Sequence, residues 1–589
     1  MKQDGNSPNK PPPAPAQALF DGLSNAARQF VDEIVGSLSP AQRADNSDLM
    51  RALAGGLAPG NARLAELQQR YYRQHLELWK NLAGAGDAAA APPAPVAVPD
   101  QGDRRFAAPE WQTLPYFDYL KQAYLINSRW LADLVETAEL AAPAKNKLRF
   151  FARQVIDAAA PANFAPTNPE VIKLAAATNG ESLARGLEHL SADAQKGRIS
   201  MTDESAFEIG RNIAVSPGSV VYENELMQLI QYAPSTPTVH ARPLVMVPPC
   251  INKYYILDLQ PANSFVRYAV EQGHTVFMVS WRNVPADMGH LTWDQYVEQG
   301  VVKALNVARD IRGVAQVDVL GFCVGGTLVG AALALLAAQG NPAAASATLL
   351  TTMLDFSETG DLSVFIDENY VRQREQDFAH GGVLRGKELA LTFSSLRAND
   401  LIWNYVVNNY LKGGTPAAFD LLYWNSDSTN LPGAMFVYYL RNTYLENNLR
   451  VPGKLTMCGE PIDLSSVTLP AYILATREDH IVPWKTAYQS IRLLGGDSRF
   501  VLAGSGHIAG VVNPPAKQRR NHWTGTALPR DPEAWLAGAE SHPGSWWPDW
   551  IKWLAGHAGE QLPAPATPGN ANYPPLEPAP GRYVRERCE

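Results

Sequence analysis

The pattern of apolar and polar positions changes character at about residue 201. Upstream, apolar residues recur at helical spacing: Leu120, Tyr124, Leu131, Leu134, Val135 and Ala138 fall three, four and seven apart and share one helical face. The segment to about residue 200 therefore reads as mostly helical. Its amphipathic faces could close an internal core or meet a partner or an apolar phase, and the pattern leaves both open. Downstream, short β-rich runs alternate with helical stretches: Leu244–Val247, Thr275–Val279, Val317–Leu320, Thr348–Leu350, Tyr472–Leu474 and Phe500–Leu502. Such alternation predicts a parallel sheet flanked by helices. Between Leu350 and Pro470 it gives way to an aromatic-rich insert of over a hundred residues.

One junction of strand and helix carries chemistry. Val317–Leu320 leads into Gly321-Phe322-Cys323-Val324-Gly325, and an apolar helical run begins at Thr327. This is the strand-turn-helix context of a nucleophile elbow, with cysteine in place of the usual serine. The two glycines suit a tight turn in which a larger side chain would strike the neighbouring strand or helix. The fold expected is thus α/β, an α/β-hydrolase core with a cap insertion at about 351–470, preceded by a mostly helical N-terminal domain; an extra packed subdomain is the other reading of the insert.

An elbow nucleophile needs an acid and a histidine later in the chain. Asp479 follows the strand Tyr472–Leu474, and His507 follows the strand Phe500–Leu502 in a glycine-flanked loop, so both should meet Cys323 at the C-terminal edge of the sheet. In this triad His507 takes the thiol proton and Asp479 holds the imidazole in the useful tautomer. His480 is the rival base and Glu478 the rival acid. The expected oxyanion donors are the backbone N–H of Val324 and, from the loop Pro248–Lys253, that of Ile251, with Cys250 the lesser candidate. Trp424 and the cluster Trp546, Trp547, Trp550 and Trp553 read as core aromatics, with contact to a bound apolar chain the other reading.

Composition narrows the classes. Charged residues make up 18% of the 589, below the roughly 25% usual for soluble domains, so association with something apolar is plausible. A net charge of −8 argues against a nucleic-acid partner. Cysteines at 250, 323, 458 and 588 are too few and scattered for a disulfide framework or a metal site, which points to a reducing, cytoplasmic setting. Cys458 and Cys588 have no catalytic neighbours, and Cys588 is expected to be exposed. No secretory leader or membrane-spanning run is evident, and residues 1 to about 16 and Ala88–Val98 read as mobile low-complexity stretches.

Cysteine suits transfer to a hydroxyl. A thiolate attacking an acyl-CoA exchanges one thioester for another of nearly equal energy, leaving an acyl-enzyme that an alcohol can still attack. At these residues the chain resembles the class I polyhydroxyalkanoate synthases. Beyond the elbow, PPCINKYYILDLQP (Pro248–Pro261), REDHIVPW (Arg477–Trp484), SGHIAGV (Ser505–Val511) and GSWWPDW (Gly544–Trp550) are similar to that family, from about residue 104 to the end. Pattern and resemblance together divide the chain into a low-complexity and mobile helical region over 1–103, a helical domain over 104–200 and a catalytic domain over 201–589. It also implies polymerisation of an (R)-3-hydroxyacyl-CoA, foremost 3-hydroxybutyryl-CoA, on an acyl-cysteine with release of CoA. Cys323, Asp479 and His507 take the roles of nucleophile, activator and base; Asp479 could instead act on the incoming 3-hydroxyl, with His480 assisting. Arg397 and Asn447 match positions thought to line the coenzyme A path, against a salt bridge and a capping amide as plain structural roles. No cofactor or metal is implied. The partners implied are the growing polyester chain, the granule surface and its associated proteins, and a second copy in a homodimer. The rivals are a cysteine-dependent thioesterase or intracellular polyester depolymerase, and a noncatalytic granule-coating protein.

Overall fold

The structure, a computed structural model, describes residues 62–84 and 94–588. The proline-rich segment before residue 17 and most of the Ala88–Val98 stretch lie outside the described residues.

All six β-rich runs are strands, and they are the parallel ones. In chain order the main sheet comprises β1 (Gly218–Glu223), β2 (Met227–Tyr232), β3 (Leu244–Val247), β4 (Val276–Trp281), β5 (Val317–Phe322), β6 (Ala344–Leu350), β7 (Ala471–Thr476), β8 (Ser498–Ala503), β9 (Asn521–Thr524), β10 (Glu540–Pro543) and β11 (Glu577–Pro578). Their spatial order is β10-β9-β8-β7-β6-β5-β3-β4-β2-β1-β11. The pairs from β8 through β7, β6, β5 and β3 to β4 are parallel, and those at both flanks are antiparallel. Parallel strands are covered by helices on both faces, so they read as continuous apolar runs; β3, β5 and β7 are buried at every position. The flanking strands β9, β10 and β11 are short and polar, and no apolar run announces them.

Among the described residues the α-helices of more than four residues that precede the sheet are α1 (Ala62–Gly84), α2 (Pro115–Thr137), α3 (Ala142–Ala158), α4 (Pro169–Ala177) and α5 (Glu181–Lys196). Tyr71 and Leu78 of α1 and Tyr124, Leu125 and Ile126 of α2 share a core with Phe106 and Trp111. Other apolar positions face water: Leu76 and Trp79 on α1, and the one-sided row Leu183, Leu187 and Leu190 on α5, where Leu187 is 66% exposed. The amphipathic pattern thus closes an internal core at some positions and leaves others facing water.

Residues between β6 and β7 leave the sheet and pack against these helices. Lys147 of α3 meets Asp367 at 2.7 Å, the Asn399 amide donates to Asp157 at 2.6 Å, and the Tyr410 hydroxyl donates to Asp193 at 2.7 Å. Three stretches of the insert, Asn399–Trp403, Val406–Leu411 and Leu440–Leu445, are π-helical, a form that concentrates at functional sites. No helix among the described residues is long and apolar enough to cross a membrane.

Candidate active site

Cys323 sits between β5 and helix α6 (Val324–Ala338) with φ 54° and ψ −126°, a conformation rarely adopted by a residue with a side chain. Such strain costs on the order of 1–3 kcal/mol and persists only where the surroundings impose it. They do so here. The Cys323 N–H donates to Leu350 O at 2.9 Å, and its carbonyl accepts from Gly326 N at 2.9 Å. The flanking glycines let the turn close: a Cβ on Gly321 would lie 2.4 Å from Gly326 Cα, and one on Gly325 would lie 2.3 Å from Val247 O. The thiol is thereby raised off the sheet edge at the N-terminus of α6.

The two partner loops are fastened to each other. Arg477 N donates to Ala503 O at 2.8 Å and Glu478 N to Ser505 O at 3.1 Å, carrying the β7–β8 pairing past the strand ends. His507 opens the short helix His507–Val511. The far end of that helix is closed by indole donors, Trp546 Nε1 to Gly510 O at 3.1 Å and Trp547 Nε1 to Val511 O at 2.9 Å. Trp546, Trp547 and Trp550 are fully buried core residues and Trp424 is buried as well.

Within this frame His507 Nδ1 lies 2.7 Å from Asp479 Oδ2, and His507 is within electrostatic reach of Cys323. The carboxylate is saturated. Its Oδ2 accepts the Thr476 hydroxyl at 3.1 Å, its Oδ1 accepts Ile481 N at 2.9 Å and Val482 N at 2.8 Å, and its side chain is 0% exposed. Burial works against charge on His507, yet Asp479 and Cys323 outweigh it and raise the imidazole to about 10. The Phe322 ring stacks on His507 with centroids 5.7 Å apart. Neither rival takes part in the hydrogen bond between Asp479 and His507. Glu478 is exposed, and it is Asp479 that pairs with His507. His480 is half-buried; its carbonyl receives the Asp361 N–H at 3.1 Å, and burial, against the pull of Asp479 and with further push from Arg397 and His507, holds its ring below the usual histidine range.

The loop Pro248–Lys253 lies over the start of α6. The Cys250 carbonyl accepts the Thr429 hydroxyl at 2.6 Å, and the Ile251 carbonyl accepts the Thr429 N–H at 3.0 Å. A trans peptide points N–H opposite to C=O, so the bond at Cys250 O turns the Ile251 N–H away from Thr429. The Cys250 thiol is buried and pushed up to about 12 by that burial, which leaves it inert.

Arg397 is half-exposed and pairs with Asp400 at 2.6 Å, within electrostatic reach of His480. Asn447, at φ 51°, caps a loop: its Oδ1 accepts Phe356 N at 2.9 Å and its Nδ2 donates to Asp355 at 2.8 Å. Cys458 is half-buried against Asp294 and remote from the triad contacts. The expectation that Cys588 is exposed is corrected: it is half-buried, its thiol 3.1 Å from Asn430 Oδ1, because the C-terminal tail folds back across the domain.

Sequence reasoning missed Tyr439 and Tyr444, both within electrostatic range of Cys323 and both pushed up chiefly by burial. Their rings meet edge to face at 5.5 Å, with Phe356 against Tyr444 at 5.1 Å. In an α-helix residues five apart diverge by about 140°. The π-helix Leu440–Leu445 bonds i to i+5 and brings them together. No sequence signal marks a π turn.

Residues 102–269 match the family model described as Poly-beta-hydroxybutyrate polymerase (PhaC) N-terminus, and residues 243–514 match the alpha/beta hydrolase fold. The chain is 56% identical over 544 residues to the poly(3-hydroxyalkanoate) polymerase subunit PhaC of Cupriavidus necator, covering 91% of this chain and 90% of the relative. It is 41% identical to the subunit of the same name from Rhizobium meliloti, covering 97% and 95%, and 42% identical to the poly(3-hydroxyalkanoate) polymerase of Methylorubrum extorquens, covering 98% and 94%. With these relatives spanning nearly its whole length, the chain belongs to the poly(3-hydroxyalkanoate) polymerases, a family of acyltransferases.

Proposed function

We propose that this protein polymerises an (R)-3-hydroxyacyl-CoA, foremost 3-hydroxybutyryl-CoA, through an acyl-Cys323 thioester with release of CoA. The observation that carries the reading is the cysteine on a strained elbow, within electrostatic reach of a buried His507–Asp479 pair, in a chain of this family. Cys323 Sγ, its proton already held by His507, attacks the thioester carbonyl. The oxyanion of the tetrahedral intermediate is met by the N–H groups of Val324 and Ile251, where one such donor contributes about 2.7–4 kcal/mol. CoA departs with the proton returned by His507. The 3-hydroxyl of a second monomer or of the growing chain then gives its proton to His507 and attacks the acyl-cysteine, forming an ester and releasing the Cys323 sulfur with the proton on His507, as in the resting enzyme. Between the two roles open to Asp479, its saturated, fully buried carboxylate favours orienting His507 over receiving an incoming hydroxyl.

Tyr439, Tyr444 and Phe356 would wall the pocket against water, which competes with the hydroxyl, and the insert over 351–470 would open to release CoA and polymer. Arg397, at an exposed position beside His480, is available to the coenzyme A phosphates, and Asn447 would act through the Phe356 loop. The reading needs no cofactor, since CoA arrives as part of the substrate. It includes a cytoplasmic homodimer growing on a polyester granule, whose associated proteins are further partners; the water-facing apolar rows on α1 and α5 suit an apolar surface.

Purified protein given 3-hydroxybutyryl-CoA should release CoA and turn turbid with polymer, and Cys323→Ala should lose both while remaining folded. Free 3-hydroxybutyrate as the sole product would mark a thioesterase instead, and an active Cys323→Ala protein would remove the nucleophile.

A further inference from the structure

The loop offering the Ile251 N–H has neither strand nor helix to fix it, so its rigidity must come from side chains. Its carbonyls are drawn outward one by one: Pro248 O accepts Trp281 Nε1 at 2.9 Å, Cys250 O and Ile251 O accept from Thr429, and Lys253 O accepts Trp424 Nε1 at 2.7 Å. The loop's last residue is a lysine only 2% exposed. Its ammonium forms no ion pair among the described residues; instead it donates to backbone carbonyls of the C-terminal tail, Tyr583 O at 3.4 Å and Glu586 O. Burial lowers its affinity for the proton, with Asp427 acting in the opposite sense. A buried ammonium is expensive to desolvate, and an apolar chain of similar volume would often serve stability as well. What the ammonium provides and a methylene chain does not is directional attachment to two carbonyls.

The tail is itself well anchored. Tyr583 OH donates to Asn224 O at 2.9 Å and Tyr583 N to Gln228 Oε1 at 3.2 Å, beside β2; Arg585 donates to Ile209 O at 2.7 Å, and Arg587 O accepts the Asn283 amide at 3.0 Å. Arg587 also donates to the Tyr423 hydroxyl at 2.7 Å, one residue from the Trp424 that holds Lys253 O.

We propose that Lys253 and the C-terminal tail form a clamp that holds the oxyanion loop, so that Lys253 is a positioning residue for acylation and the tail is part of the active-site scaffold. The proposal rests on the acyl-cysteine reading above. A clamp on the oxyanion donor has a specific signature. Acylation of Cys323 by a thioester passes through an oxyanion, whereas alkylation of the same sulfur by iodoacetamide displaces iodide and needs no oxyanion hole.

In full-length protein, Lys253→Met should slow single-turnover acylation by 3-hydroxybutyryl-CoA about ten- to a hundred-fold, below the full loss of one donor because the N–H is displaced and not deleted. KM and the rate of Cys323 alkylation should stay within two-fold of wild type, and Lys253→Arg should recover part of the loss. A chain ending at Arg585, lacking the Glu586 carbonyl, should show the same split; it carries the test if Lys253→Met does not fold. Adding Lys253→Met to that truncation should slow acylation by less than it does in the full-length chain, since only the longer bond to Tyr583 O is then left to lose. Unchanged acylation in either variant, or acylation and alkylation falling in parallel, would overturn the clamp. A wild-type protein that alkylates at Cys323 but is never acylated would overturn the acyl-cysteine reading, and the clamp's role in catalysis with it.

Discussion

Asp479→Asn isolates the group on which the triad turns. The native carboxylate accepts four hydrogen bonds, and the variant can keep those from Ile481 and Val482 by presenting its amide oxygen to them. The amide nitrogen then faces His507 Nδ1 and the Thr476 hydroxyl in place of Oδ2. Two donors cannot share one proton-bearing contact, so Nδ1 must become the acceptor and the imidazole proton moves to Nε2, on the side toward Cys323. His507 can no longer receive the thiol proton. A tautomer reversal of this kind lowers turnover by about 10⁴-fold, or about 5.4 kcal/mol in the barrier. The fold should lose far less, about 1–3 kcal/mol for one charge-assisted bond replaced by a weaker one. Rapid-quench measurement of CoA release in the first turnover, beside steady-state release and a thermal melt, separates these effects. First-turnover release within ten-fold of wild type, followed by failed elongation, would refute the orienting role and assign Asp479 to the incoming hydroxyl.

The charge held on His507 predicts a pH dependence of stability. Its folded value of about 10 exceeds the ordinary 6.5, so the folded protein binds this proton more tightly. The contribution is therefore full below about pH 6.5 and fades as pH rises toward about 10. The stability difference between wild type and His507→Gln, followed by denaturant titration, should shrink across that window; a constant difference would contradict the buried pair. Gly325→Ala forces a Cβ to 2.3 Å from Val247 O and 2.6 Å from Pro248 O, both backbone atoms, and should destabilise by about 1–3 kcal/mol while moving the elbow off β3, read as a lower thermal midpoint with lost CoA release. Asn447→Ala removes the acceptor for Phe356 N and the donor to Asp355, and should cost about 1–2 kcal/mol of stability. Because the loop then loosens as a whole, activity toward 3-hydroxybutyryl-CoA and toward its truncated pantetheine thioester should fall equally; a KM increase confined to the CoA substrate, with an unchanged melt, would make Asn447 a coenzyme A contact.

The sequence by itself determined the parallel core and the order of its chemistry. A strand buried on both faces must be apolar throughout, so β3 to β8 could be read from composition, whereas β9, β10 and β11 are short polar flanks without a periodic signal. Cys323, Asp479 and His507 were legible because each follows a readable strand, and strands that run parallel deliver their following loops to one edge. Tertiary structure decided what depends on contacts between distant segments. It brought Tyr439 and Tyr444 to the cysteine through a π turn, placed Asp479 rather than Glu478 against His507, and folded the tail back so that Cys588 is half-buried and Lys253 reaches Glu586. Local pattern reports the periodicity with which a segment meets its surroundings; it carries no record of which remote carbonyl or ring will be there, since that is settled only when the chain closes on itself.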